Sequence, residues 1–129
     1  MNKNIRVLIL EDKLSDFDLV EFALREGGLA ITPRRAANEA EFLRGLEDFS
    51  PDLILSDYDL LQYTGALALA EAKRRLPEVP FILVSGVLEA GDDRIDKILA
   101  GGASDCVLKD CLDRLAPTVH KALGMRERI

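Results

Sequence analysis

Five polar side chains stand at or directly after the ends of short apolar runs, and their types suit the binding of a cation and a phosphoryl group. Glu11 and Asp12 follow the run 5–10, Asp57 follows 53–56, Ser85 follows 81–84, and Lys109 follows 106–108. If these runs are parallel strands, their carboxyl ends meet at one edge of a sheet, where open α/β sheets bind ligands. The sequence therefore predicts one site that contains all five side chains.

The three acids of this set are suited to hold a magnesium ion. Mg²⁺ prefers oxygen ligands and usually takes only a few from the protein, so Glu11, Asp12 and Asp57 could supply its carboxylates. We expect the backbone carbonyl of Asp59 to complete the protein ligands. Without a cation the acids would raise one another's pKa, whereas with it Asp57 stays ionised and nucleophilic. Attack on phosphorus by Asp57 would give an acyl phosphate.

Lys109 and Ser85 could supply the remaining contacts to a phosphoryl group, whose charge spreads over three oxygens during transfer. Backbone N–H groups near Tyr58 and Gly86 are further donors. Taken singly, each residue has an ordinary structural interpretation: strand-end acids often cap helices, and lysines usually lie at the surface. Their joint occurrence at four strand ends, in chain order, favours the phosphoryl-binding interpretation.

Apolar runs alternate along the chain with segments of helical period. The runs are Ile5–Leu10, Ile31–Ala36, Leu53–Leu55, Phe81–Val84 and Cys106–Leu108, of which the second is weakened by Pro33 and two arginines. Continuous apolarity in the first, third and fourth runs is typical of parallel strands that are covered on both faces. Because strand and helix alternate five times, the sequence predicts a flavodoxin-like α/β fold: a doubly wound, five-stranded parallel sheet, (βα)5.

Capping residues and one proline predict where the helices begin. We expect Ser15 to cap the first helix, Asn38 to cap the second through a capping box, and Thr64 to open the third. Pro117 is tolerated only in the first turn of a helix, because the N–H groups there have no partner. The fifth helix should therefore begin near Asp113.

Length and composition fit one domain, residues 1–129, with 124–129 as a linker stub or a C-terminal tail. The net charge of −6 and the pI of about 4.8 argue against direct binding to nucleic acid or anionic membranes. No apolar run approaches the ~20 residues that span a bilayer, and the N-terminal run is too short for a signal peptide. We expect a cytoplasmic protein whose Cys106 and Cys111 stay reduced and bind no metal.

Four segments together resemble the receiver domain of two-component response regulators. They are Leu-Ile-Leu-Glu-Asp at 8–12, Leu-Ile-Leu-Ser-Asp-Tyr at 53–58, Phe-Ile-Leu-Val-Ser-Gly at 81–86 and Asp-Cys-Val-Leu-Lys-Asp at 105–110. The resemblance covers nearly the whole chain, and the set is similar to the chemotaxis-type single-domain receiver fold.

This resemblance implies a role for each site residue. Asp57 would accept a phosphoryl group from a phosphohistidine on a histidine kinase or a histidine phosphotransfer protein. Glu11 and Asp12 would carry Mg²⁺, Lys109 would clamp the phosphoryl group, and Ser85 would move toward it on activation.

The same resemblance implies a signalling module rather than an enzyme, limited to its own phosphorylation and slow autodephosphorylation. Such a domain can also stand within a larger hybrid kinase or output protein. Phosphorylation would change a partner surface formed by the fourth helix, the fifth strand and the fifth helix, a face that is also available for a homodimer.

The chain departs from the family pattern at three positions. Leu61 stands where family members usually have a proline, four residues after the acceptor. Asp110 replaces a proline after the lysine, and we expect a trans bond there because a cis bond before a non-proline residue costs ~3 kcal/mol. Cys106 replaces the usual switch aromatic. We therefore expect the activation signal to travel through the loop after Ser85 and the fourth helix, with Cys106 nearly passive.

Two other interpretations remain open from the residues. A small aspartate-nucleophile phosphatase of the haloacid dehalogenase type would use Asp59 as its general acid, but the chain has no cap segment, and Leu61 stands where that motif has threonine. A degenerate receiver that serves only as an interaction platform would not need the complete set of site residues. His120, the only histidine, is expected at the surface.

Overall fold

The computed structural model describes residues 4–124, in which helices connect the successive strands of one main sheet. In chain order the elements are β1 (Ile5–Leu10), α1 (Leu14–Glu26), β2 (Ile31–Ala36), α2 (Glu39–Asp48), β3 (Leu53–Ser56), β4 (Asp59–Leu60), β5 (Tyr63–Thr64), α3 (Gly65–Arg75), β6 (Phe81–Ser85), α4 (Asp93–Ala100), β7 (Asp105–Leu108), a 3₁₀ helix (Lys109–Arg114) and α5 (Leu115–Ala122). Of the tail predicted at 124–129, only Gly124 is described, and 125–129 lie outside the described residues.

The main sheet has five parallel strands in the order β2-β1-β3-β6-β7. The chain moves outward from β1 to β2, then crosses back so that β3 lies on the other side of β1. This change of direction creates a crevice at the carboxyl ends of β1 and β3, the usual position of a ligand site in such sheets. The predicted doubly wound (βα)5 fold is confirmed.

Both faces of the sheet are covered by helices. Along β1, Leu8 and Leu10 pack in a core cluster with α2, α3 and α4. Val7 and Ile9, which point to the opposite face, pack with α1 and α5. Because successive side chains of a strand alternate between faces, a strand buried on both faces must be apolar throughout. That requirement explains the uninterrupted apolar runs.

The weak second run forms the edge strand β2. It pairs with β1 along its whole length and with no other strand in the described part of the chain. Pro33 cannot donate to a ladder, but an edge strand needs only one set of ladder hydrogen bonds. The strand predicted at Ile31–Ala36 is therefore confirmed in spite of its proline.

Two of the three predicted helix caps are confirmed. The Asn38 side chain accepts the Glu41 N–H (2.9 Å), and Glu41 accepts the Ala37 N–H (2.8 Å), so the box closes one residue earlier than usual. The Thr64 hydroxyl accepts the Leu67 N–H (3.2 Å) at the start of α3.

The prediction for Ser15 is wrong. α1 begins at Leu14, and its N-cap is Lys13, whose side chain makes no capping hydrogen bond. The turn before the helix is held instead by Glu11, whose carboxylate accepts the Lys13 N–H (3.2 Å). A side chain of the predicted site thus fixes the start of α1, and Ser15 is already helical.

The last part of the chain confirms the constraint from Pro117. α5 begins at Leu115, two residues after the expected position, and Pro117 lies in its first turn. The 3₁₀ helix at Lys109–Arg114 fills the distance between β7 and α5. Residues 4–124 contain no cis peptide bond, so the trans bond expected before Asp110 is confirmed.

A small antiparallel hairpin, β4–β5, stands between Asp57 and α3 and was not predicted. Leu61 and Gln62 form its two-residue turn, with Gln62 at a φ of 62°. Leu61 is 81 % exposed at the tip, so the missing proline is replaced by a solvent-facing turn residue. The hairpin brings Gly65, the first residue of α3, back beside Tyr58 and the end of β3.

Gly65 makes this return possible. Its N–H donates to the Tyr58 carbonyl (2.7 Å), which closes the hairpin segment. A Cβ at residue 65 would lie 2.7 Å from the backbone oxygen of Asp57 and 2.8 Å from Cδ1 of Leu83. Only glycine allows the start of α3 to approach the backbone of Asp57 this closely.

The helices of the structure are short, and α1, with 13 residues, is the longest of those described. Helices of this length suit a domain of one sheet between two helix layers. Within residues 4–124, no helix combines the length and the apolar character that a membrane crossing requires.

Replacing the cap of α2 tests these helix boundaries. Asn38→Ala should lower the free energy of unfolding by about 1 kcal/mol, because the Glu41 N–H loses its acceptor. Ser15→Ala, the matched control, should stay within about 0.5 kcal/mol of the wild type, since Ser15 caps nothing. Urea unfolding monitored by circular dichroism measures both. A larger loss for Ser15→Ala than for Asn38→Ala would contradict the assigned caps.

Adding one methyl group at residue 65 tests the close approach of α3. Gly65→Ala should lower the free energy of unfolding by about 1–3 kcal/mol, because the new Cβ overlaps backbone atoms that cannot move independently. It should also shift the Tyr58 amide resonance in a ¹H–¹⁵N spectrum. Gly101→Ala is the control, since its Cβ would come no closer than 3.2 Å to the end of the Leu69 side chain and 3.4 Å to the nearest backbone oxygen, that of Lys97. Equal stability of the two variants with an unmoved Tyr58 resonance would refute the constraint.

Candidate functional site

The ammonium group of Lys109 joins three carboxylates at the carboxyl edge of the sheet. Its Nζ lies 2.7 Å from Oε1 of Glu11, 2.8 Å from Oδ2 of Asp16 and 3.1 Å from Oδ2 of Asp57. An ammonium has three N–H donors, so each donor has one carboxylate acceptor. Glu11, Asp57 and Lys109, which the sequence placed at three separate strand ends, are therefore in one cluster.

Asp57 is held in place by its backbone as well as by its side chain. Its N–H donates to the Leu10 carbonyl (3.0 Å), and its carbonyl accepts the Ser56 hydroxyl (2.8 Å). The carboxylate accepts the Tyr58 N–H at Oδ1 (2.8 Å) and Lys109 at Oδ2, and the residue is 9 % exposed. The carboxylate is fixed, with a small part of its surface open to solvent.

Glu11, Asp12 and Asp57 form an oxygen-only cluster. One ligand oxygen from each of them lies within 4.8 Å of the other two. Glu11 is 2 % exposed, whereas Asp12 is only partly buried. Such a set fits a hard cation such as Mg²⁺, which takes carboxylate oxygens and completes its shell with water and phosphate. Asp59, on β4, has an exposed side chain, and the role of its carbonyl stays a prediction.

Burial and charge act in opposite directions on the site groups. Burial raises the pKa of both Glu11 and Asp57, and the contact with Lys109 offsets this only in part. The Asp57 charge raises the Glu11 pKa further, and the Asp12 charge does the same for Asp57. Burial lowers the pKa of Lys109, but hydrogen bonds to Asp16 and Glu11 outweigh it, so the net pKa is raised. The lysine therefore stays charged, and a further positive charge near Glu11 and Asp57 would stabilise their ionised forms.

Ser85 is buried at the end of β6, with its hydroxyl directed to the following loop. The hydroxyl oxygen accepts the N–H groups of Val87 and Leu88, each at 3.2 Å. The next residue, Gly86, supports the site lysine: a Cβ there would lie 3.2 Å from Cδ of Lys109. The position of Ser85 links the site to the loop before α4, and its movement on activation stays a prediction.

Cys106 lies in β7 beside Leu83 of β6, and its side chain packs against the core cluster on the α2–α4 face. Burial raises the pKa of its thiol to about 11, so the thiol is protonated at neutral pH. Both cysteines are free. Nothing marks Cys106 as a reactive thiol, and its passive role in switching stays a prediction.

Sequence reasoning missed two residues that shape the site. Asp16 contacts Lys109 from the first turn of α1, and Gly65 brings α3 against Asp57. Asp16 follows the acid pair by about one helical turn, which could have indicated that it belongs to the site. Because the cap of α1 was predicted at Ser15, the side of the helix on which Asp16 lies could not be inferred. The signal for Gly65 was a glycine directly after a capping threonine. The requirement for glycine at residue 65 follows from the β4–β5 hairpin, which brings the start of α3 against the Asp57 backbone.

Comparison with known proteins identifies the family. The family model of the response regulator receiver domain matches residues 7–119. A two-component response regulator of Oryza sativa subsp. japonica is 33% identical over 106 residues, which cover 80% of this chain and 84% of that protein. A protein-glutamate methylesterase/protein-glutamine glutaminase of Rhizobium johnstonii is 27% identical over 98% of this chain but only 34% of its own length. The chain thus spans about a third of such methylesterase relatives.

Solved structures show the same fold. A CheY-like receiver domain protein from Methanospirillum hungatei matches with a TM-score of 0.80 at 24% identity, covering 95% of both chains. The response regulator domain of Thermotoga maritima CheB matches with a TM-score of 0.83 at 19% identity, covering 97% of this chain and 100% of that one. With the family-model match, the sheet order and the cluster at its carboxyl edge, the chain belongs to the response regulator receiver domain family.

Proposed function

We propose that this receiver domain takes a phosphoryl group on Asp57 from a phosphohistidine of a histidine kinase or a histidine phosphotransfer protein. The observation that carries the proposal is the meeting of Lys109 with Asp57 beside the Glu11–Asp12–Asp57 cluster. A nucleophilic carboxylate, a counter-charge and a cation cluster are the parts that phosphoryl transfer requires. The family membership supports the same reaction.

The transfer exchanges one bond to phosphorus for another. A carboxylate oxygen of Asp57 forms a P–O bond while the P–N bond to the donor imidazole breaks, and the imidazole nitrogen keeps the electron pair. The Tyr58 N–H and Lys109 hold the carboxylate in position before attack, and Lys109 then balances charge on the transferred group. A Mg²⁺ ion held by Glu11, Asp12, Asp57 and the Asp59 carbonyl would supply further positive charge. Slow attack by water on phosphorus later restores the carboxylate.

The alternative, a small phosphatase of the haloacid dehalogenase type, has less support. Its general acid would be Asp59, but that side chain is exposed on the hairpin, where β4 pairs with β5. Family membership favours a signalling module whose only chemistry is its own phosphorylation and dephosphorylation. We infer that residues 1–129 act as one such domain and that any output lies in another segment or another protein.

We also place the partner surface on α4, β7 and α5, the face predicted for partner binding and for a homodimer. Support comes from Ser85, whose hydroxyl holds the loop that leads into α4, and from the exposed Leu99 of that helix. The acidic net charge disfavours nucleic acid as a direct partner. The two free cysteines fit a reducing compartment, so we place the domain in the cytoplasm.

Labelling with a small phosphodonor tests the acceptor. With Mg²⁺ and acetyl phosphate, the chain should gain one phosphoryl group that base and hydroxylamine remove, because it is an acyl phosphate. Asp57→Asn should gain none, whereas Asp59→Asn, two residues further along, should still be labelled. Intact-mass spectrometry reads the change. Undiminished labelling of Asp57→Asn would remove Asp57 from its proposed role.

The cation cluster is tested by removing its most accessible acid. Asp12→Ala should weaken Mg²⁺ binding by roughly tenfold or more, because one of three clustered carboxylates is lost. Asp18→Ala serves as the control, since Asp18 is an exposed acid outside the cluster. Isothermal titration calorimetry gives both affinities. Equal affinities in the two variants would mean that the acid pair is structural.

The route of the activation signal is tested with beryllofluoride, which mimics the phosphoryl group. The largest change in amide exchange should fall between Val87 and Leu99, because Ser85 holds the amides that begin this loop. Cys106 should change little, since a small, partly buried side chain has no large surface to move. Asp57→Asn with the same reagents is the control. A change centred on Cys106 with an unaltered 87–99 segment would overturn this route.

A further inference from the structure

Asp16 is a carboxylate of the site that has no place in the reaction derived above. It lies in the first turn of α1, and its Oδ2 is 2.8 Å from Nζ of Lys109. Its side chain is 27 % exposed, so it lies between Lys109 and the solvent. The ligand oxygens that could share a cation come from Glu11, Asp12 and Asp57 and do not include Asp16.

We propose that Asp16 is a positioning residue that slows phosphorylation by occupying an N–H donor of Lys109 for which the incoming phosphoryl group must compete. The inference rests on the proposed phosphoacceptor function. All three N–H donors of Lys109 are occupied, so a phosphoryl oxygen can bind this ammonium only by displacing one of its carboxylates. Glu11 and Asp57 belong to the cluster that a cation would neutralise. Asp16 lies outside that cluster and keeps its full attraction for Lys109.

The charge of Asp16 acts in the same direction as its hydrogen bond. The Lys109 ammonium contacts three carboxylates, and Asp12 adds a fourth acid beside Glu11 and Asp57, so a divalent cation would still leave the site with one excess negative charge. A dianionic phosphodonor is repelled by that charge as it enters. Replacing Asp16 with a neutral residue would remove this excess negative charge. It would also remove one carboxylate that competes with the phosphoryl group for Lys109.

A merely structural role for Asp16 predicts a different outcome. Asp16 also sits where an acid stabilises a helix through its dipole, so its loss could act on α1 alone. Asp18, two residues further along α1, is exposed and forms no ion pair in the described chain. Asp16→Asn and Asp18→Asn remove the same charge from the same helix, and only the first changes a contact with Lys109.

The experiment compares these variants in the full chain at saturating Mg²⁺. Asp16→Asn should be phosphorylated by acetyl phosphate, a dianion, on the order of three- to tenfold faster than the wild type, whereas Asp18→Asn should stay within about twofold. The acceleration should be smaller with phosphoramidate, which carries less net negative charge. Asp16→Ser, which removes the charge with another small polar group, should show the same acceleration, and urea unfolding confirms that each variant is folded.

The outcomes separate this inference from the function on which it rests. A labelled wild type with slower or unchanged phosphorylation of the Asp16 variants would overturn the inference alone. Equal acceleration in Asp18→Asn, or equal effects with both phosphodonors, would also overturn it, because the effect would then be independent of Lys109 or of donor charge. A wild-type chain that gains no phosphoryl group at Asp57 would overturn the proposed function together with this inference.

Discussion

The hydrogen bonds from Lys109 to its carboxylates are the interaction on which the rest of the site depends. They connect the ends of β1, β3 and β7 with the first turn of α1, across as many as 98 positions in the chain. Charge-assisted bonds of this kind are strong, and here they also offset the repulsion among buried acids. The stem of the lysine lies against Gly86, so the ammonium has a supported position.

The parallel sheet explains why such distant residues meet. β1 and β3 are neighbours that run in one direction, so Glu11 and Asp57 leave the sheet side by side. The unpredicted hairpin and the absence of a Cβ at Gly65 then keep α3 against the Asp57 backbone. On the other side, Ser85 holds the loop that precedes α4. The segment that leads into α3 and the loop that leads into α4 therefore both begin at the carboxyl edge of the sheet, at the ends of β3 and β6.

The sequence predicted the strands, their parallel arrangement and the caps at Asn38 and Thr64, because apolar runs and capping side chains act locally. It did not predict the hairpin, because its turn uses Gln62 at a positive φ rather than glycine or asparagine. The cap at Ser15 was wrong because Glu11, a site residue, determines where α1 begins. Asp16 and Gly65 were missed for a related reason: each acts through a contact distant in the chain, which no local pattern encodes.

The role of the Lys109 ammonium is tested most directly by a crystal structure of the protein with Mg²⁺ and beryllofluoride bound. We expect Nζ of Lys109 to lie within hydrogen-bond distance of a fluorine atom and to have lost at least one of its contacts with Glu11, Asp16 and Asp57. A lysine that keeps all three carboxylates and makes no contact with the beryllofluoride would contradict the central role given to this ammonium.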